Sequence, residues 1–336
     1  MQHVLVIAEA GVNHNGKLET ALRLCDAAKE AGADVIKFQT WITEAIITKT
    51  VEQAKYQEKN TKVKESQFDM LKKLELSFED YKKIKLYCDQ IGIAFASTAD
   101  DPASLNFLID LGIPFIKIGS GDVSNIPYLR YIGSKNRPII LSTGMSTFGD
   151  VDTAVRTLNS AGADQITLLH CTTNYPCPKK DVNLKAMLTL KEAFQLPVGY
   201  SDHTTGIEIP IAAAALGATV IEKHFTLDRN MPGPDHKAST EPNEFKRMIQ
   251  CIRNVELAMG YGKKTPTDEE KIISNVVLKR IIASTTIHKG EVFTEDNLTV
   301  KRNDKGLSAK YWDLVIGKKA VREYQKDFPI NEFYNE

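Results

Sequence analysis

A chain of 336 residues, 42% hydrophobic and 26% charged, has room for one large domain or for one large and one small. Its 43 basic and 43 acidic residues cancel, so it lacks the net charge expected of a nucleic-acid or membrane-surface binder. Five scattered cysteines form no CxxC pair, the start has no basic stretch before a long apolar run, and no segment is long enough to span a bilayer. The expectation is a cytoplasmic protein with free thiols.

Residues 4–8 form a short apolar run ending at Glu9, then a loop, GVNHNG, and a helical pattern over 18–31 stopped by Gly32. Residues 34–38 are the second run, carrying Lys37 and ending at Gln39. Residues 42–64 read as an extended polar loop, followed by amphipathic segments at 65–74 and 78–91. The rhythm then becomes regular. Runs at 93–96, 115–118, 138–141 and 165–169 end in Ser97-Thr98, Gly119-Ser120-Gly121-Asp122, Ser142-Thr143-Gly144 and His170-Cys171-Thr172. A helical pattern follows each. The last two runs, 197–200 and 219–221, end in Asp202-His203 and Glu222-Lys223-His224 and flank an Ala-rich helix at 207–216.

Eight short apolar runs, each followed by a helical pattern, predict buried parallel strands in a (β/α)8 barrel. The rival is an open doubly wound sheet, but no GxGxxG follows the first run. The barrel is expected over residues 1–260. GYGKKTPTDEEK then reads as a linker, 261–275, and short β-like pieces over 276–336 read as a small β-rich domain.

Residues just after the strands line the functional face of a barrel. Here these are Glu9, Asn13, Lys37, Gln39, Ser97, Thr98, Lys117, Ser120, Asp122, Ser142, His170, Thr172, Asn174, Tyr175, Ser201, Asp202, His203, Glu222 and His224. The alternative for any Ser, Thr, Asp or Asn is a helix N-cap, the role assigned to Asp150 and Asp181. Lys37 and Lys117 sit inside apolar runs, where a lysine needs an anionic partner, either a bound phosphate or carboxylate or an internal acid such as Glu9 or Asp122. His203 and His224 end adjacent strands and suit a divalent metal, with water or substrate completing the shell. The alternative is a pair of hydrogen-bonded structural histidines. NMPGPDHKAS turns Asp235 and His236 over the barrel mouth, with His236 the lesser metal candidate.

The blocks AEAGVNHNG, VIKFQT, YQEKNT, ESQFDMLKKLEL, KIGSGD, ILSTGM, LLHCTTNYPCP, VGYSDHT, IEKHFTLDRNM and GPDHKAS resemble the sialic acid synthase family. HKGEVFTEDNLTVKR resembles that family's antifreeze-like SAF domain. The resemblance implies condensation of phosphoenolpyruvate with an N-acylated hexose. It implies Mn2+, or else Mg2+ or Co2+, on His203 and His224. Phosphoenolpyruvate would be held by Lys37, Thr98, Lys117, Ser120, Ser142 and Ser201. The sugar would be approached by Gln39, Asn60, Tyr175, Asp235 and Arg302, the last reaching the partner's site in a domain-exchanged homodimer. Glu9, Asp122 and Glu222 are the implied acid–base carboxylates, with Glu222 expected to activate the water and Asp122 next. Three stretches depart from the family pattern: STAD for STPF, KIGSGD for KIPSGE, and KRND for KRPG. The rival functions are a metal-dependent barrel hydrolase of an amino sugar and a non-catalytic sugar-binding barrel. N-acetylmannosamine and its 2,4-diacetamido-6-deoxy relative are both expected sugars, with the lean toward legionaminic-acid members.

Overall fold

The computed structural model describes residues 3–53, 55–61 and 63–334. The chain divides into two compact units, residues 1–260 and 261–336. In the first, eight strands run β1 (Leu5–Gly11), β2 (Val35–Thr40), β3 (Ala94–Ala99), β4 (Ile116–Ile118), β5 (Ile139–Ser142), β6 (Ile166–Cys171), β7 (Val198–Asp202) and β8 (Val220–His224). They pair in parallel in chain order, and β8 closes on β1 from Leu5↔Val220 to Glu9↔His224. This closure makes the sheet a barrel and removes both edges of the rival open sheet.

Successive strand side chains point to opposite faces, so each strand feeds two layers. Ile7, Val35, Ala96, Phe115, Ile140, Leu169 and Val220 fill the barrel interior. Val6, Ala8, Ile36, Phe38, Phe95 and Leu168 point outward under the helices and join the main core. Burial on both faces is why the strands read as unbroken apolar runs. Each Ile, Leu or Phe so placed contributes roughly 1.5–3 kcal/mol relative to exposure. At Gly199 on β7 a Cβ would meet Val220 O at 2.4 Å and Leu169 Cδ2 at 2.7 Å, so only glycine lets β7 and its neighbours approach.

The helices follow the apolar periodicity. Leu18–Ala31 buries Ala21, Leu24, Cys25 and Ala28 and ends at Gly32, whose φ of 88° is left-handed. Residues 42–64, expected as an extended loop, instead carry short helices at Thr43–Ile46 and Lys55–Thr61. The first is pinned by Glu75, whose Oε2 accepts from Thr43 N and Thr43 Oγ1 at 3.0 and 2.5 Å. Such distant polar anchors leave no periodicity in the sequence. Helix Gln67–Leu74 follows, and its Met70 and Leu74 pack with Val12 and Trp41 in a separate cluster.

Neither assigned N-cap is one. Asp150 is the third helical residue of Phe148–Ser160 and completes a capping box with Thr147. Asp181 ends a 3-10 turn, Lys179–Asp181.

In the second unit, β9 (Lys279–Ala283) pairs antiparallel with β10 (Leu298–Arg302). Ile281, Ile287, Phe293, Leu298, Val315, Tyr324 and Ile330 form its core. Most of the second half of the expected linker is a helix, Asp268–Val277, started by a capping box between Thr267 and Glu270. The composition reads as loop because none of this helix is buried and its first turn is all acid.

Candidate active site

Directly above the apolar interior layer, two residues further along most strands, the inward side chains become polar. Ile7 gives way to Glu9, Val35 to Lys37, Ala96 to Thr98, Phe115 to Lys117, Ile140 to Ser142, Leu169 to Cys171 and Val220 to Glu222. These groups converge on a cavity of about 200 Å3 at the C-terminal mouth of the barrel. A larger cavity of about 640 Å3 lies beside it, between Phe148, His170 and Lys185, and shares Met145, Cys171 and Thr173. The smaller one holds the convergent charges, and chemistry follows convergent charge rather than volume.

Both strand lysines are buried. Lys37 Nζ lies 2.5 Å from Glu9 Oε2, 2.9 Å from Thr98 Oγ1 and 3.6 Å from Glu222 Oε2. Lys117 Nζ donates to Ser142 Oγ at 2.8 Å and lies 3.5 Å from Glu222 Oε1. Ser201 Oγ donates to the same Glu222 oxygen at 2.9 Å. Glu222 thus bridges the two ammonium groups. Its burial favours the acid, but Lys117, Lys37 and Ser201 outweigh that and hold the carboxyl at about 2. Burial pushes Glu9 up against the opposing pull of Lys37, and burial pushes Lys117 down. So the internal ion pairs exist, yet both ammonium groups face the cavity and can turn to an entering anion.

His203 and His224 end neighbouring strands with ring centroids 5.3 Å apart, and Tyr175 lies 4.2 and 5.4 Å from them. His203 Nδ1 donates to the Thr172 carbonyl at 2.8 Å, so in the neutral ring Nε2 carries the lone pair; burial disfavours the charged ring, but Cys171 and that carbonyl outweigh it and raise its pKa. His224 is held well below its ordinary value by burial and by His203, and its buried Nδ1 has no hydrogen-bond partner. An orphaned, uncharged imidazole beside a second, backbone-oriented one fits a metal-ligand pair. Among the described residues no group of three or more His, Cys, Asp or Glu is placed to hold a metal, so any ion here would complete its shell with water or substrate. His236 is a different matter. It is fully buried, its Nδ1 meets Thr226 Oγ1 at 2.7 Å and its Nε2 meets Asn15 Oδ1 at 3.2 Å.

Of the other sequence-derived residues, Gln39, Ser120 and Tyr175 line the small cavity. Gln39 Nε2 donates to Glu9 Oε1 at 2.9 Å, and Ser120 Oγ accepts from Gly144 N at 3.0 Å. Asp235 lines an adjoining cavity, where burial pushes it up to about 6. Asn60 donates to Pro234 O at 2.7 Å and so ties the neighbouring helix to the Asp235 loop. Asp122 is not among the lining residues and accepts from Asn125 Nδ2 at 2.9 Å. Arg302 closes β10 in the second unit and is exposed.

Four strand-end groups serve the scaffold. Asn13 bonds Phe225 O and Ser239 Oγ, and His170 Nε2 bonds Val182 O. Ser97 and Asp202 point outward by strand parity, to Thr40 and to Lys223 at 2.7 and 2.5 Å. The same parity exposes two residues that strand-end reading passed over. Asp100, two beyond Thr98, lines the cavity beside Lys37 and Gly119, and burial with the nearby Asp122 pushes it up to about 7. Cys171, two beyond Leu169, lies 3.8 Å from both Ser120 Oγ and His203 Nδ1. Counting in steps of two from the interior layer finds both.

Comparison with known proteins agrees with this geometry. The NeuB family model matches residues 24–264, and the SAF domain model matches residues 280–331. The N,N'-diacetyllegionaminic acid synthase of Campylobacter jejuni is 49% identical over 99% of this chain and 100% of its own length. The protein of the same name from Legionella pneumophila is 46% identical over 93% of this chain and 89% of its own. The crystal structure of N-acetylneuraminic acid (sialic acid) synthetase from Leptospira borgpetersenii, in complex with citrate, superposes with a TM-score of 0.70 at 35% identity. It covers 82% of this chain and 92% of that one. With one family model spanning most of the barrel and relatives this similar along nearly the whole length, the chain belongs to the NeuB family of synthases and carries a C-terminal SAF domain.

Proposed function

We propose that the enzyme condenses phosphoenolpyruvate with an N-acylated aminohexose and water, giving a nonulosonic acid and phosphate. The reading favours 2,4-diacetamido-2,4,6-trideoxymannose and N,N'-diacetyllegionaminate over N-acetylmannosamine and N-acetylneuraminate. Two relatives named for the former product are 49% and 46% identical. The observation that carries the reaction class is the pair of buried lysines facing one small polar cavity among hydroxyls. A hydrolase or a simple sugar binder has no use for two such cations.

In this reading Lys37, Thr98, Lys117, Ser120, Ser142 and Ser201 hold the carboxylate and phosphate of phosphoenolpyruvate. Gln39, Tyr175 and Asp235 meet the sugar, with Asn60 holding the Asp235 loop in place. His203 and His224 would hold a divalent metal, Mn2+ first and Mg2+ or Co2+ otherwise, which when bound supplies Lewis acidity toward the sugar's aldehyde oxygen. Carbon 3 of phosphoenolpyruvate bonds to the aldehyde carbon, and positive charge develops at carbon 2. Water adds there; one of its protons ends on the former aldehyde oxygen, now a hydroxyl, and the other leaves with the phosphate. The C2–O bond to phosphorus then breaks, releasing phosphate and leaving a 2-keto acid. Of Glu9 and Glu222, Glu9 is the better proton acceptor, because Glu222 is committed to both lysines and Ser201 and is too weak a base. Asp122, turned to Asn125, serves its own loop.

Arg302 is proposed to reach the site of a partner subunit in a cytoplasmic homodimer with exchanged SAF domains. The test is phosphate release from the purified enzyme. It should require phosphoenolpyruvate and an N-acylmannosamine-type sugar together. Release from phosphoenolpyruvate alone at the same rate contradicts the reading.

A further inference from the structure

Behind the two histidines the barrel carries an ion pair that the reaction above does not use. Asp202 on β7 and Lys223 on β8 stand opposite each other in the strand register, and each is 1% exposed. Lys223 Nζ lies 2.5 Å from Asp202 Oδ2 and donates to the Thr204 carbonyl at 2.7 Å. Asp202 Oδ1 accepts from Thr204 N at 3.0 Å, and Thr204 Oγ1 donates to Asp202 Oδ2 at 3.1 Å. The network thus grips the chain on both sides of His203 and ends one residue before His224. On the outer face of the other six strands stand apolar residues, with Thr40, Ser97 and His170 the polar exceptions.

Taking two charges out of water is expensive, and apolar residues of like volume often match a buried ion pair for stability. What they lack is direction, and direction is needed here. Because side chains alternate along a strand, holding Asp202 and Lys223 to the outer face aims Ser201, His203, Glu222 and His224 inward. The rung of Ser201 and Glu222 has ties of its own, since Glu222 is held by Lys117, Lys37 and Ser201. The histidine rung above it has fewer. His203 bonds the Thr172 carbonyl, but His224 Nδ1 has no partner. A metal-binding histidine is usually oriented by such a bond. For His224 the backbone must do this work. It is fixed by Lys223 on one side and by Thr240 N, which donates to the His224 carbonyl at 2.8 Å.

We propose that Asp202 and Lys223 are positioning residues for the metal site. They touch neither metal nor substrate, and they set the separation and aim of His203 and His224. This rests on the reading of the two histidines as metal ligands and adds the part of the barrel that presents them.

The test compares the full-length enzyme with two variants. Lys223→Met combined with Asp202→Asn leaves neither charge of the pair buried, and Asp202→Asn alone is nearly isosteric, so at least one keeps the fold, checked by thermal melting. Mn2+ binding to the chelator-treated proteins is followed by the electron paramagnetic resonance of the unbound ion. In each folded variant the Mn2+ dissociation constant should rise roughly 10- to 100-fold. Saturating Mn2+ should restore most of the turnover. The KM for phosphoenolpyruvate should then stay within about twofold, because the Glu222–lysine rung keeps its own ties. An unchanged Mn2+ constant in a folded variant would overturn the proposal. A KM for phosphoenolpyruvate that rises as far as the Mn2+ constant would overturn it too, because the pair would then serve the whole barrel mouth as scaffold. A wild-type enzyme that binds no Mn2+ would refute the metal reading and the proposal with it, a result distinct from unchanged affinity in a variant.

Discussion

Asp100 occupies a position where a carboxylate is at odds with its neighbourhood. It lines the same small cavity as Lys37 and Lys117, which already contains Glu9 and Glu222. Burial and Asp122 push it up to about 7, so it is neutral below that pH and negative above it. A negative Asp100 repels an entering trianion. The KM for phosphoenolpyruvate should therefore rise as pH passes through about 7, and Asp100→Asn should flatten that rise, measured by steady-state kinetics from pH 6 to 9. The lysines make a plainer case. Lys117→Ala removes a charged donor from the anion site, and such losses typically cost ~1.5–3 kcal/mol, roughly 10- to 150-fold. The effect should fall on kcat/KM for phosphoenolpyruvate more than on the KM of the sugar. The lysines were legible because charge inside an apolar run is conspicuous. Asp100 was not, since it lies past Ser97-Thr98, where the apolar run was read to end, and it adjoins Asp101, which caps the next helix.

At the scale of elements, strand parity organises the whole site. One step of two residues separates the apolar plug from the polar layer on most strands. Strand order and closure were readable from eight apolar runs, because parallel strands buried on both faces leave that signature. The β2–β3 connection was not readable. Its short helices are fixed by contacts across long sequence distances, such as Thr43 with Glu75 and Asn60 with Pro234, and these leave no periodic pattern. The same limit hid the roles of Asp150 and Asp181, since the true cap is set by backbone geometry at Thr147. Gly199 gives a test of the plug. Gly199→Ala forces a methyl against Val220 O and Leu169, and overpacking of this kind costs typically ~1–3 kcal/mol. The melting temperature should drop, and an unchanged value would mean that β7 can shift to make room.

For the molecule as a whole, the two compact units carry different parts of the proposed chemistry. The barrel holds both lysines and both histidines, whereas Arg302 lies on the SAF domain's β10. If that domain serves a partner's barrel, two inactive enzymes should complement one another. Arg302→Ala and His224→Ala proteins, mixed and allowed to exchange subunits, should regain part of the wild-type activity through one intact site per mixed dimer. Proven heterodimers without recovery would assign Arg302 to its own subunit or to the surface. All of this presupposes that the new carbon–carbon bond forms as phosphate leaves with the bridging oxygen. The most direct measurement of that claim uses phosphoenolpyruvate carrying 18O at the bridging position, with the diacetamido sugar as co-substrate. Mass spectrometry should find the label in inorganic phosphate and the product lengthened by three carbons. Unlabelled phosphate, with the sugar recovered unchanged, would contradict the account.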